Sequence, residues 1–258
     1  MILGAQLYSL RRLTQTEGGV REVFRRVKEI GYDAVQVSAF GRDIPAELIA
    51  ALSTQYDLPV TVTHTPPDRI LGETDKVIEE HKLFGCTQIG LGWVGTEYRG
   101  CKANVQKLID TFAPAVAKIQ AAGLTFAYHN HDFEFDPLEE GGTFYDYLIA
   151  NTDWSFIPDV YWLSYAGLDA AAMLRRLQGR VLNVHFKDMA SSPKGPICAC
   201  GNGVIDFAPL VPVCEETGIR YCQVEQDNAA DFIGDGKDEF TQMKISYDHL
   251  RPLIYHEK

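Results

Sequence analysis

The chain has 258 residues, 46% of them hydrophobic and 23% charged, a balance that excludes a disordered, collagenous or membrane-embedded protein. Its formal charge of −11 repels phosphate backbones and argues against nucleic acid as a partner. No apolar run approaches the roughly 18 residues that span a bilayer. The opening MILGAQLYSLRRL has no basic n-region and no small-residue cleavage site, so no signal peptide is expected. Six cysteines are too few for a disulfide-stapled scaffold, which points to a reducing cytoplasm. Cys198 and Cys200, a C-x-C in PICACGNG, lack a second pair at zinc-site spacing and are expected as reduced thiols in an exposed loop.

No low-complexity tract or linker divides the sequence, so residues 1–258 read as one domain. Eight short β-branched or aromatic runs are predicted strands: 3–8, 33–37, 59–64, 88–92, 124–129, 155–160, 181–186 and 221–224. They recur about every 32 residues, the length of a βα unit whose crossover helix makes neighbouring strands parallel. Between them lie amphipathic stretches. In 19–30, Val20, Val23, Phe24, Val27 and Ile30 form one stripe that ends at Gly31, a residue suited to a left-handed cap. Gly85, Gly123 and Gly218 are expected to end helices in the same way. The longest helix candidate, 102–122, should kink at Pro114. The alternation predicts an α/β fold, a single (β/α)8 TIM barrel. A doubly wound open sheet would show a phosphate-binding glycine fingerprint after its first strand, and QLYSLRR has no glycine.

In such a barrel the active site forms at the C-terminal ends of the strands. Four of the seven histidines fall there: His64 in VTVTHT, His129 and His131 in FAYHNH, and His185 in VLNVHF. Carboxylates reach the same level, with Glu134 in HDFEF, Asp159 in IPDVYW and Glu225 in CQVEQD. Each has a plainer reading alone. His64 suits a hydrogen-bonded rim residue, Asp159 a cap, and Glu225 a salt bridge to Lys187, while Asp132, Glu139 and Glu140 are acidic neighbours of Glu134. Together, Asp159, His185 and Glu225 on three successive strands form a set that is costly to bury unless a cation relieves the repulsion. Mn²⁺, Mg²⁺, Co²⁺ or Zn²⁺ suits mixed oxygen and nitrogen ligands, with carboxylate-rich sites leaning to Mn²⁺ or Mg²⁺.

These segments resemble the sugar phosphate isomerase/epimerase family with the xylose isomerase-like barrel. GAQLYSLR is similar to that family's opening strand, and YHNHDFEF after strand five marks one of its branches. VHFKD, GNGVIDF and VEQD follow in the expected order, so the resemblance covers nearly the whole chain. It implies one divalent metal held by a carboxylate after strand five, an Asp after six, a His after seven and a Glu after eight. Asp159, His185 and Glu225 match the last three. Relatives with E-N-H at strand five have Glu where this chain has His129. The first ligand is then His129, or Glu134 reaching back from the loop, with Glu134 the preferred expectation and manganese the preferred ion.

The implied activity is a divalent-metal-dependent isomerase or epimerase of a sugar, keto-sugar or cyclitol, working through a metal-stabilised enediolate. His129 and His131 are the expected proton-transfer groups, because imidazole titrates near neutrality. Glu225 can act as ligand and base, and Lys187, on the same strand face as His185, can steady an oxyanion. Gln6, Tyr8, His64, Trp93, Asn130 and Trp162 are candidate substrate contacts. His129 in place of a carboxylate base opens an alternative, a lyase or dehydratase of a keto-sugar or keto-inositol on the same site. An endonuclease IV-like nuclease would need two or three metals and basic DNA-binding loops, and a non-catalytic sugar-binding barrel would need no metal. The expected partner is a small sugar, with no nucleic acid and no membrane; a homo-oligomer is compatible with the sequence.

Overall fold

The computed structural model describes residues 1–234 and 237–256. All eight predicted strands form: β1 (Ile2–Gln6), β2 (Ala34–Ser38), β3 (Val60–His64), β4 (Gln88–Leu91), β5 (Thr125–His129), β6 (Ser155–Ile157), β7 (Asn183–Phe186) and β8 (Tyr221–Val224). They pair in parallel, β1 through β6 in sequence, with β8 on the other edge of β1 and β7 beyond it. Between β6 and β7 the ladder thins to isolated bridges, Phe156 to Val181 and Asp159 to His185, which nearly close the barrel. Among the described residues no helix is long and apolar enough to cross a membrane.

The helices follow their sequence signals. Thr16 accepts the Gly19 N–H and starts the helix Glu17–Ile30, whose buried face is Val20, Val23, Phe24 and Val27. Gly31 ends it at φ 117°, where a Cβ would also strike the Tyr247 hydroxyl. Gly85, Gly123 and Gly218 take left-handed backbone as expected. The helix Lys102–Ala121 runs on through Pro114 rather than dividing there.

One extra residue shapes the lumen. Val35 pairs with Val60 but Gln36 pairs with Val62, so Thr61 is a bulge in β3. Strict alternation would place Thr61 and His64 on opposite faces, since they are three apart. The bulge lets both reach the lumen. Thr61 donates to Asn183 Oδ1 at 2.9 Å and accepts from Gln223 Nε2 at 2.7 Å, and Asn183 Nδ2 donates to Gln88 Oε1 at 2.9 Å. This neutral network fills the barrel below the polar strand ends, with Val62, Ala127 and Ile157 as a small apolar cluster.

A second, two-stranded sheet pairs Asp188–Met189 with Ile197–Cys198 in antiparallel fashion, an element absent from the sequence reading. It corrects the expectation for the cysteine pair. Cys198 lies in this sheet and Cys200 just after it, both buried rather than exposed, and the six cysteines are all free.

Arg180 secures the thin seam. Its guanidinium donates to the carbonyls of Ile149, Thr152 and Trp154, each at 2.8 Å, while its own carbonyl accepts the Phe156 N–H at 2.8 Å. Arg180→Ala leaves three carbonyls without their charged donor and should cost roughly 2–4 kcal/mol in urea unfolding. Arg180→Lys cannot reproduce the fork and should recover less than half of that. An unchanged unfolding midpoint in both variants would show that the seam does not depend on this side chain.

Candidate metal centre at the barrel mouth

Successive inward positions at the strand ends bring the predicted site residues together. His129 ends β5, Asp159 follows β6, His185 lies in β7 and Glu225 follows β8. One ligand atom from each of these four lies within 4.8 Å of the others, and all four residues are buried. His64 joins His129 and His185 in a second overlapping group. The three rings pack at 4.6 to 5.3 Å between centroids. Room for His64 comes from the next strand, because a Cβ at Gly92 would lie 2.7 Å from its ring.

The tautomers can be read from the acceptors. His129 Nδ1 lies 3.2 Å from the Ile157 carbonyl, which can only accept, so Nδ1 carries the hydrogen and Nε2 keeps a lone pair. Burial and the neighbouring imidazoles push its pKa well below the ordinary value, so the ring is a neutral donor atom. Asp159 Oδ1 caps the following turn by accepting the Tyr161 and Trp162 N–H groups at 2.9 and 3.2 Å. Its buried Oδ2 accepts no hydrogen bond and has the Lys187 ammonium beside it at 3.1 Å and His185 Nδ1 at 3.8 Å. Two imidazole nitrogens and two carboxylate oxygens converging in this way, one oxygen without a donor, fit a divalent cation.

Lys187 sits at the centre of the charge. Its Nζ lies 3.1 Å from Asp159, 3.1 Å from Glu225 and 2.9 Å from Asp227. Burial alone would lower its pKa, yet the three carboxylates, Asp159 foremost, hold it well above the ordinary value. Burial raises Asp159 and lifts Asp227 to about 6. Glu225 is also buried, but Lys187 and His185 hold its carboxyl well below the usual range. The sequence reading had not singled out Asp227. It lies two residues past Glu225, and that spacing in an extended chain was the available signal.

Other predicted residues fall in three places. His131 and Trp162 line the cluster, with rings 5.4 Å apart, Trp162 5.5 Å from the Lys187 ammonium, and His131 Nδ1 and Trp162 Nε1 both without a protein partner. Burial and Lys187 push His131 down to about 3. Gln6 approaches His64 Nδ1 at 3.4 Å and turns its Oε1 to the Tyr8 N–H. Asn130 spends its amide on the protein, accepting the Asp159 N–H at 3.1 Å and donating to the His131 carbonyl at 3.3 Å, so it ties β5 to β6. Tyr8 lies under Arg11, and Trp93 stands 53% exposed on the rim, apart from the cluster.

Glu134 is not brought to the cluster. A 3-10 turn, Phe133–Phe135, folds its carboxylate back to accept from the Tyr128 hydroxyl and the His131 N–H, both at 2.8 Å. The donor that geometry supplies at strand five is His129.

Residues 24–251 match the family of xylose isomerase-like TIM barrels. Among solved structures the fold is similar to a sugar phosphate isomerase/epimerase from Parabacteroides distasonis, with a TM-score of 0.81 and 22% identity over 98% of this chain and 100% of that one. It is also similar to an L-ribulose 3-epimerase (TM-score 0.73, 14% identity, 99% and 95% covered). The IOLI protein with a bound zinc atom gives a TM-score of 0.74 at 13% identity, with 100% and 99% covered. No curated protein matches the sequence.

Glu134 carries a pH signature. Burial pushes its carboxyl from 4.5 up to about 8, against two donors that pull it down. A carboxyl raised on folding favours the folded state below its unfolded pKa, and that contribution is lost as pH rises through the folded value. Urea unfolding of the native chain should therefore lose stability between about pH 5 and 9 relative to Glu134→Gln, whose amide does not titrate, by roughly 4 kcal/mol. Parallel stability curves for the two proteins would show that Glu134 is not held neutral.

Proposed function

The chain belongs to the xylose isomerase-like TIM barrel family, and we propose that it is a divalent-metal-dependent isomerase or epimerase of a small sugar, keto-sugar or cyclitol. The observation that carries this reading is the convergence of His129, Asp159, His185 and Glu225 within 4.8 Å beside a charged lysine. Those four residues would hold a divalent ion, whose Lewis acidity would make the C–H on the hydroxyl-bearing carbon of a hydroxyketone more acidic. With two imidazoles in the set rather than one, zinc becomes the favoured ion over manganese. The zinc in the IOLI structure agrees with that choice.

The protein's own groups then divide the work. His131 starts neutral, with Nδ1 free of any protein partner, so it is the proton acceptor of the site. As that proton leaves carbon, the electron pair moves toward the carbonyl oxygen, and the Lys187 ammonium is the cation placed to receive the growing charge. Returning the proton to the neighbouring carbon, while the hydroxyl proton passes to the former carbonyl oxygen, isomerises the sugar. His129, with Nδ1 held by Ile157, acts as a ligand rather than a base. Trp162 presents a ring face and a free indole N–H to the substrate. The same ammonium supports a second reading, elimination, because Lys187 can hand a proton to a departing hydroxyl. Product analysis separates the two.

Protein purified without chelator should carry about one divalent ion per chain by elemental analysis, and Asp159→Asn or Glu225→Gln should lower its affinity at least roughly tenfold. Full occupancy in both variants would remove the metal reading. A keto-sugar substrate turned over in D₂O should gain deuterium at one carbon next to the carbonyl, and chelation should stop it. His131→Gln should lower kcat by roughly 100-fold while KM stays within about threefold, since the loss falls on the transition state. An unchanged kcat would exclude His131 as the base.

A further inference from the structure

Gln36 is the one long polar side chain in β2, AVQVS, and it is wholly buried. A buried amide needs partners, yet its Nε2 has none. Its Oε1 has one, His185 Nε2 at 2.7 Å. A carbonyl oxygen only accepts, so at that distance Nε2 of the imidazole carries the hydrogen. His185 Nδ1, on the other edge, faces two carboxylate oxygens, 2.9 Å from Glu225 Oε2 and 3.8 Å from Asp159 Oδ2. A cation among these three atoms takes the place of a proton on Nδ1, and Nε2, held by the Gln36 carbonyl, is then the nitrogen that keeps the hydrogen.

We propose that Gln36 is a positioning residue for the metal centre: its carbonyl fixes His185 as the Nε2–H tautomer and thereby makes Nδ1 the metal-donating atom. The inference rests on the metal reading above and goes beyond it by naming the group that sets the ligand's tautomer. Turning the amide over would present its NH₂ to Nε2, move the ring hydrogen to Nδ1, and aim that hydrogen at Glu225. The ring would then bond to the carboxylate and no longer ligate. His129 has the same arrangement with a fixed acceptor, the Ile157 carbonyl, behind its Nδ1. His185 depends on a side chain instead, which makes its tautomer accessible to substitution. Hydrogen bonds behind metal-bound imidazoles orient the ring and raise its basicity.

Zinc affinity, measured by competition with a chromogenic chelator on the full chain, tests this without any substrate. Gln36→Leu should weaken zinc binding roughly 10- to 100-fold, and Gln36→Glu, which accepts the same N–H, should return it to within about threefold of native or tighter. Gln36→Leu binding zinc like the native chain, or Gln36→Glu binding as weakly as Gln36→Leu, overturns the proposal. If Gln36→Leu fails to fold, ¹⁵N NMR of the zinc-loaded native protein decides instead. His185 should show a protonated Nε2 and a metal-bound Nδ1, and the reverse pattern overturns the proposal. A native chain that binds no zinc removes the metal reading and this inference with it. A native chain that binds while Gln36→Leu is unaffected removes this inference alone.

Discussion

A lysine ammonium buried among three carboxylates is the interaction on which the rest of the site depends. Lys187 is 1% exposed and touches Asp159, Glu225 and Asp227 at 3.1 Å or less. Taking Lys187, Asp159 and Glu225 out of water, with Asp227 partly exposed beside them, is expensive, and the attraction repays it only where each charge is closely paired. With all four ionised, three negative charges against one positive leave two uncompensated, the charge that a divalent cation brings. His129 and His131 add no charge to that balance, because burial first, and the same ammonium after it, push both rings well below the ordinary imidazole range. Lys187 therefore does two things at once. It makes the carboxylates tolerable inside the barrel, and it keeps His131 free of a proton.

The barrel below has to tolerate polarity as well. A lumen lined by Thr61, Gln88, Asn183 and Gln223 pairs its polar groups with one another except for Gln223 Oε1, so the apolar part of the interior is small. Backbone departures make that possible. The Thr61 bulge changes the alternation of β3 and delivers His64 to the imidazole cluster. Gly90 and Gly92 leave the β4 side of the mouth bare, where a Cβ would strike the Thr63 carbonyl or the His64 ring. The ring cluster is thus as much a product of missing side chains as of present ones.

The strands were legible in the sequence because parallel strands buried on both faces read as short apolar runs, and the helix ends because glycine marks them. Asp159, His185 and Glu225 were legible for the same reason, as polar residues where those runs stop. What could not be read depends on turns. Nothing in HDFEF says that a 3-10 turn folds Glu134 back onto Tyr128, which leaves His129 as the strand-five member of the cluster. Asn130 looked like a substrate contact until the structure set its amide against the Asp159 N–H and the His131 carbonyl. Gln36 lies in mid-strand, away from any strand end, and its contact with His185 spans 149 residues. Pairings at that separation leave no mark in local periodicity.

The stretch VHFKD shows how five residues can serve the site and its cover together. Alternation sends His185 and Lys187 into the lumen, and Phe186 and Asp188 to the other face. Phe186 stacks on Phe207 with ring centroids 5.0 Å apart. Asp188 is fully buried, and among the described residues it forms no ion pair. Its two oxygens instead accept the backbone N–H groups of Met189, Gly201, Gly203 and Ile205 at 2.7 to 3.0 Å. Four such donors stabilise a buried carboxylate without a counter-ion, and they fold the segment CGNGVI around it. At Gly203 a Cβ would come within 2.3 Å of that carboxylate, so the loop closes this tightly only around a glycine. One strand end therefore carries two buried acid environments of opposite design. The inward carboxylates of the neighbouring strands converge on Lys187, which leaves a lone pair open to a cation. The outward Asp188 is saturated by amides and holds the loop in place.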